Sequence, residues 1–234
     1  MKEVRDTLHG FGTRPHYEPR ELDLMFEKII VEFLNKKHGG VSFPITTDDL
    51  ETLIETDVSD LDQYADLSKY GDGVEGLTEF QRNGKPRVLI AADVHKYENR
   101  LRTTLTHEYG HVRLHGYLFG LEQRQLPLGA GKNANTIYCK RDTMIPLGKK
   151  DWMEWQAGYA CGALLMPKSH LTRCVGLIQK ANGIYGAEPT TSQNGALLID
   201  AIAEKFAVSR EAARVRLSVL GFLGEKTAVR SLFP

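Results

Sequence analysis

Five consecutive residues, His107-Glu108-Tyr109-Gly110-His111, constrain this 234-residue chain more than any other feature. They spell H-E-x-x-H, and on a helix positions i and i+4 lie one turn apart on the same face. Two imidazoles so placed can hold one Zn²⁺ ion, and the glutamate between them can reach a water on that ion. The surrounding stretch favours the helix. Asn99 to His115 contains no proline. At about 100° per residue, Leu101, Leu105, Tyr109 and Val112 fall on one apolar stripe, with His107, His111 and Glu108 on the adjoining flank. The spacing predicts a half-buried helix over 99–115 that brings two metal ligands to the floor of a cleft. The chemistry such a site performs is metal-assisted hydrolysis of a peptide bond.

Zinc in a hydrolase takes three protein ligands and keeps one position open, so a third ligand has to come from elsewhere. His115 lies eight residues beyond His107, about 12 Å along a straight helix axis. An ion held between His107 and His111 is out of its reach. The H-E-x-x-H-x-x-G-x-x-H pattern places a third histidine six residues after the second, where this chain has Tyr117. His115 is therefore expected to support a ligand, to touch substrate, or to mark a polar helix end. Glu154 is the other candidate. It stands near the start of Asp151–Pro167, a stretch with Ala157, Gly158, Ala160, Gly162 and Ala163 that reads as a buried helix stopping at the proline. Asp151 and Glu154 also have the N-cap and N3 spacing of a capping box, and spacing alone does not separate the two roles.

Two segments taken together resemble the ImmA/IrrE-type zinc metallopeptidases: H-E-Y-G-H-V-R-L-H from His107 to His115, and E-W-Q-A followed by L-L-M-P from Glu154 to Pro167. The likeness extends to residues 73–80, 88–92 and 207–221, and so spans roughly residues 20–224. It implies an α+β, zincin-like fold, mainly helical, with a small antiparallel sheet beside the H-E-x-x-H helix and a C-terminal helix-turn-helix-like helix pair. It implies one Zn²⁺ on His107, His111 and Glu154, with Glu108 as the catalytic glutamate. It also implies a substrate, a separate helix-turn-helix transcriptional repressor, which would make the protein an anti-repressor of a mobile element or stress response. Candidate donors to the oxyanion or the substrate are His115, Tyr117, Tyr159 and His170. The chain departs from the family between Gly120 and Lys150, where a Gly-, Pro-, Asn- and Lys-rich segment is longer than the usual connection. A structureless loop of this length reads as a lid, a substrate-docking element or a neutral insertion.

Thirty basic and thirty acidic residues cancel, so no global field draws the protein to nucleic acid or membrane. The N-terminal Met-Lys-Glu-Val-Arg-Asp lacks the apolar core of a secretion signal, and no apolar run approaches the ~20 residues a membrane span needs. Cys139, Cys161 and Cys174 fit neither a zinc ribbon nor a redox pair, and the expected compartment is the cytoplasm.

Residues 1–19 read as a loose arm, 21–37 as a helix ended by Gly39-Gly40, and 47–54 as a short helix. Residues 74–80 and 87–92 read as strands around Asn83-Gly84, a hairpin signal. One member of that hairpin would be the edge strand that pairs with an extended substrate. Residues 169–181 read as a helix and 182–194 as a linker. The expected domains are 1–192, the peptidase, and 193–234, a helix pair (196–206 and 209–220) packed on it. The second of these helices carries Arg210, Arg214 and Arg216, which a DNA groove could receive, although packing is the preferred reading. Two rivals remain: a DNA-binding transcriptional regulator with a structural or degenerate metal site, and a non-catalytic, antitoxin-like interaction protein.

Overall fold

The computed structural model describes residues 1–81, 84–125, 136–140 and 151–224, with side chains for all of these except 120–125 and 136–140. The architecture is mixed α+β and mainly helical. Two compact units are present, one from Met1–Val41 with Thr46–Leu164 and one from Ser42–Ile45 with the chain from Leu165 onward.

The first unit opens on an antiparallel hairpin, β1 (Lys2–Arg5) and β2 (Thr13–His16), in register from Lys2↔His16 to Arg5↔Thr13. The loose arm expected for residues 1–19 is thus corrected. Its charges and glycines belong to a turn organised by one buried carboxylate. Asp6 accepts from the backbone N–H groups of Leu8 (3.3 Å), His9 (2.8 Å) and Phe11 (3.1 Å) and from the Trp152 indole (3.0 Å). Phe11 then enters a buried cluster with Phe80, Leu118, Phe119, Trp152 and Met153, where the Phe80 and Phe119 rings stack at 4.3 Å. Asp6→Ala strands these donors and is expected to cost about 3 kcal/mol of unfolding free energy, read by chemical denaturation. Burial pushes the Asp6 carboxyl up, but the N–H donors outweigh it and hold it below the usual range. Its contribution is therefore present above the unfolded carboxylate pKa near ~4 and fades as pH falls below that value.

Helices α1 (Pro19–His38) and α2 (Thr47–Glu55) follow. Leu22, Phe26, Ile30 and Leu34 recur every four residues and are the buried face of α1. The helix stops at Gly39, whose left-handed φ of 71° turns the chain away. The Thr46 hydroxyl caps α2 by accepting from the Asp49 N–H at 3.1 Å.

A four-stranded sheet contains β3 (Asp60–Ala65), β4 (Val74–Glu79), β5 (Arg87–Ala91) and β6 (Thr136–Lys140) in the order β3-β5-β4-β6. β4 and β5 pair antiparallel from Gly76↔Ile90 to Glu79↔Arg87, as the hairpin signal predicts, though the Asn83 position of the turn lies outside the described residues. Two expectations are corrected here. The sheet is mixed, because β3 runs parallel to β5. Neither hairpin strand is an edge either: β3 covers β5, and β6 covers β4 in the antiparallel register Thr78↔Ile137. Both added strands lack a clear sequence signal. Asp-Leu-Asp-Gln-Tyr-Ala carries few strand-forming residues and is held by its neighbour, with Arg87 donating to Asp60 at 2.7 Å. Thr-Ile-Tyr-Cys-Lys has strand-forming residues but sits within the Gly- and Asn-rich segment.

The helix of the H-E-x-x-H motif, α3, runs from Glu98 to Gln125, ten residues past the expected end at His115. It passes Gly116 unbroken and enters the 120–150 segment, which also contains β6. The described part of that segment is therefore helix and strand rather than coil, and residues 126–135 and 141–150 lie outside the described residues. α3 is also more buried than the single stripe predicts. Leu101, Leu105, Tyr109 and Val112 are buried, and so are Arg102, Thr104, Thr106, His107, Glu108, His111 and His115 on the other faces.

Helix α4 (Trp152–Leu165) crosses α3 closely. A Cβ at Gly110 would stand 3.0 Å from the Ala157 Cα and 3.1 Å from its carbonyl oxygen, so the small residues of α4 permit the approach. Gly110→Ala gains about 1 kcal/mol of helix propensity but overpacks this contact. A net destabilisation of about 1–2 kcal/mol is expected, and Gly110→Val should lose more. Denaturant unfolding curves measure both.

The second unit holds α5 (Lys168–Asn182), α6 (Gln193–Phe206) and α7 (Arg210–Val219). Within the expected 182–194 linker, Glu188 is pinned: its N–H donates to the Phe222 carbonyl and its own carbonyl accepts from Gly224, both at 3.0 Å. Ala207 turns the chain with a φ of 48°, and the Ser209 hydroxyl caps α7 by accepting from Ala212 at 3.1 Å. All three arginines of α7 are engaged inside this unit. Arg210 pairs with Asp200, Arg214 with Glu211, and the buried Arg216 donates Nε–H to the Met166 carbonyl at 3.2 Å. Among the described residues no helix is long and apolar enough to cross a membrane.

Candidate metal centre

Three elements contribute to the centre. α3 carries His107 and His111 on one face, as their spacing requires. α4 begins opposite them, and its first turn resolves the two roles offered for Glu154. Asp151 caps the helix, its Oδ1 accepting from the N–H groups of Met153 (2.9 Å) and Glu154 (3.3 Å). The Glu154 carboxylate points to the histidines, with Oε2 3.2 Å from His107 Nε2 and Oε1 3.4 Å from His111 Nε2. The two Nε2 atoms stand 3.1 Å apart. β4 supplies the third wall, against Glu108. A Cβ at Gly76 would lie 2.5 Å from Glu108 Oε1, so only glycine leaves room for this side chain. The Thr78 hydroxyl donates to Glu108 Oε2 at 2.5 Å.

Both imidazoles and Glu108 are fully buried, while the Glu154 side chain is 13% exposed. Burial pushes the Glu154 carboxyl up, but His111 and His107 outweigh it and hold Glu154 ionised, far below the usual carboxylate range. Burial lowers His107, which the Glu154 bond only partly offsets. His111 is subject to the same burial, yet the Glu154 charge carries it above the ordinary imidazole value. His115 is driven well below that value by burial, then by His111. The cluster thus holds an ionised carboxylate beside one basic imidazole.

The donor set fits a divalent ion. One carboxylate oxygen and two Nε2 atoms lie within 4.8 Å of one another. Ligands about 2.0–2.1 Å from zinc at tetrahedral angles stand roughly 3.3 Å apart. The two Nε2 atoms are 3.1 Å apart, and each has a different Glu154 oxygen close by, Oε2 at 3.2 Å from His107 and Oε1 at 3.4 Å from His111. Two imidazoles and a carboxylate are three donors, one fewer than the four that a structural zinc site takes.

Of the other sequence candidates, the structure brings His115 to His111, the Nδ1 atoms lying 2.9 Å apart. Tyr159 is buried with its hydroxyl donating to Asp23 on α1 at 3.1 Å. Tyr117 is exposed on α3, beside Tyr17 and Glu3. His170 belongs to the second unit, its ring 4.8 Å from that of Phe43.

Sequence reasoning missed Gly76, Thr78 and Gln156. Gly76 and Thr78 lie two apart on one strand face, a spacing visible in Gly-Leu-Thr, but nothing local shows that this face meets Glu108. Gln156 sits inside the recognised E-W-Q-A string and reaches His115, a contact that only tertiary packing creates. Compared with known proteins, the chain matches no protein-family model and no curated protein.

Proposed function

We propose that this protein is a zinc-dependent endopeptidase of the cytoplasm, a regulatory protease whose substrate is a separate helix-turn-helix repressor. The observation that carries the hydrolytic reading is the convergence of His107, His111 and Glu154 at ligand spacing with Glu108 alongside them. The substrate class rests on the resemblance of the two helical motifs to ImmA/IrrE-type peptidases.

His107, His111 and Glu154 would hold the ion, which when bound supplies Lewis-acid polarisation of a water and of the scissile carbonyl. Glu108 takes the water's proton and returns it to the leaving amine. The Thr78 bond holds one Glu108 oxygen and so orients the carboxylate for this transfer. Deep burial of His107, Glu108 and His111 keeps bulk water from screening their charges. The engagement of Arg210, Arg214 and Arg216 by groups of their own unit favours protein over nucleic acid as partner.

The test is co-incubation of the zinc-loaded protein with a repressor encoded beside its own reading frame, followed by mass spectrometry of the products. Two fragments with one new N-terminus, absent when a chelator is added, are expected. An intact repressor after prolonged incubation with stoichiometric zinc-loaded protein would contradict the proposed substrate.

A further inference from the structure

We propose that Pro15, Gln156 and His115 form a buried hydrogen-bond chain that presets the tautomer of His111, so that the N-terminal hairpin decides which nitrogen of that ligand faces the metal. The metal part of this inference rests on the reading of His107, His111 and Glu154 as ligands.

The chain has three links. Gln156 Nε2 donates to the Pro15 carbonyl at 3.0 Å. His115 Nε2 and Gln156 Oε1 are 3.0 Å apart. His111 Nδ1 and His115 Nδ1 are 2.9 Å apart. His111, His115 and Gln156 are at most 1% exposed, so water does not substitute for any of these partners.

Elementary donor and acceptor chemistry orders every proton from the far end. A backbone carbonyl only accepts, so the Gln156 amide nitrogen faces Pro15 and its oxygen faces His115. The amide oxygen also only accepts, so His115 Nε2 carries the proton. In a neutral imidazole the other nitrogen is then bare, and His115 Nδ1 accepts. The proton between the two rings therefore sits on His111 Nδ1. A neutral His111 so arranged presents its Nε2 lone pair, the atom that lies 3.1 Å from His107 Nε2 and 3.4 Å from Glu154. Among the described residues His107 has no counterpart: its buried Nδ1 meets no hydrogen-bond partner there. Only one ligand of the pair is preset, and β2 presets it.

The test uses full-length protein labelled with ¹⁵N at histidine, with long-range ¹H–¹⁵N correlation recorded metal-free and with one equivalent of zinc. His115 is expected to show a protonated Nε2 and a bare Nδ1 in both states, and His111 a protonated Nδ1 throughout with zinc arriving at Nε2. Gln156→Met keeps the side-chain length and removes both links. It is expected to give His115 a mixture of tautomers and to raise the zinc dissociation constant by about 10–100-fold. A proton on His115 Nδ1 in the wild-type spectrum, which needs no variant to fold, overturns the chain. So does Gln156→Met with an unchanged tautomer and unchanged zinc affinity. Histidine signals that ignore zinc while His115 keeps its Nε2 proton would overturn the metal reading and support the chain.

Discussion

On the proposed function, Glu108→Gln is expected to lower repressor cleavage by about 10²–10⁴-fold while the protein still takes up one zinc ion per chain. The substitution changes one atom of a side chain that fits closely between Gly76 and Thr78. The amide oxygen can still accept from Thr78, so the shape of the wall survives. The amide cannot take a proton from water, so the transfer that starts the reaction is lost. Glu108 is not among the three candidate ligands, and metal content should not fall. Initial cleavage rates and metal analysis of the same preparation check both halves. A variant cleaving at the wild-type rate contradicts the assigned role.

If the three residues hold zinc as proposed, Glu154→Ala is expected to weaken its binding by more than about 100-fold, since partners one shell farther out are already worth 10–100-fold. It removes one of the three candidate ligands and the only carboxylate among them. It also changes the metal-free protein. Glu154 is what carries His111 above the ordinary imidazole value against the pull of burial. Without it His111 titrates lower, and the coupling between proton and metal shrinks. In the wild type, protons compete with zinc at His111, so affinity rises with pH through the range in which that imidazole gives up its proton. Glu154→Ala should flatten this dependence as well as lower the affinity. Competition with a chromophoric chelator across pH measures both. Unchanged affinity would remove Glu154 from the ligand set.

Local spacing made the motif helix legible, because i and i+4 on a helix need no tertiary information to share a face. The antiparallel β4–β5 pairing was legible for a similar reason, an Asn-Gly turn between two strand-forming runs. Glu154 was not legible from spacing, since a capping glutamate and a ligand glutamate look the same there. Only the direction of the carboxylate separates them, and that direction, toward His107 and His111, is a tertiary feature. The first nineteen residues were misread because their order comes from one buried carboxylate, Asp6, whose partners include an indole 146 residues away. Such a contact leaves no periodic trace. β3 and β6 were missed on the same grounds: the neighbours that hold them are remote in sequence, and their own composition is weak or diluted.

The proposed chemistry needs three side chains to share one ion, and anomalous diffraction at the zinc absorption edge from crystals of the zinc-loaded protein tests this most directly. The predicted result is a single strong peak bonded to His107 Nε2, His111 Nε2 and a Glu154 oxygen, with a solvent atom in the fourth position. A peak elsewhere on the chain, or none between these residues, would contradict it.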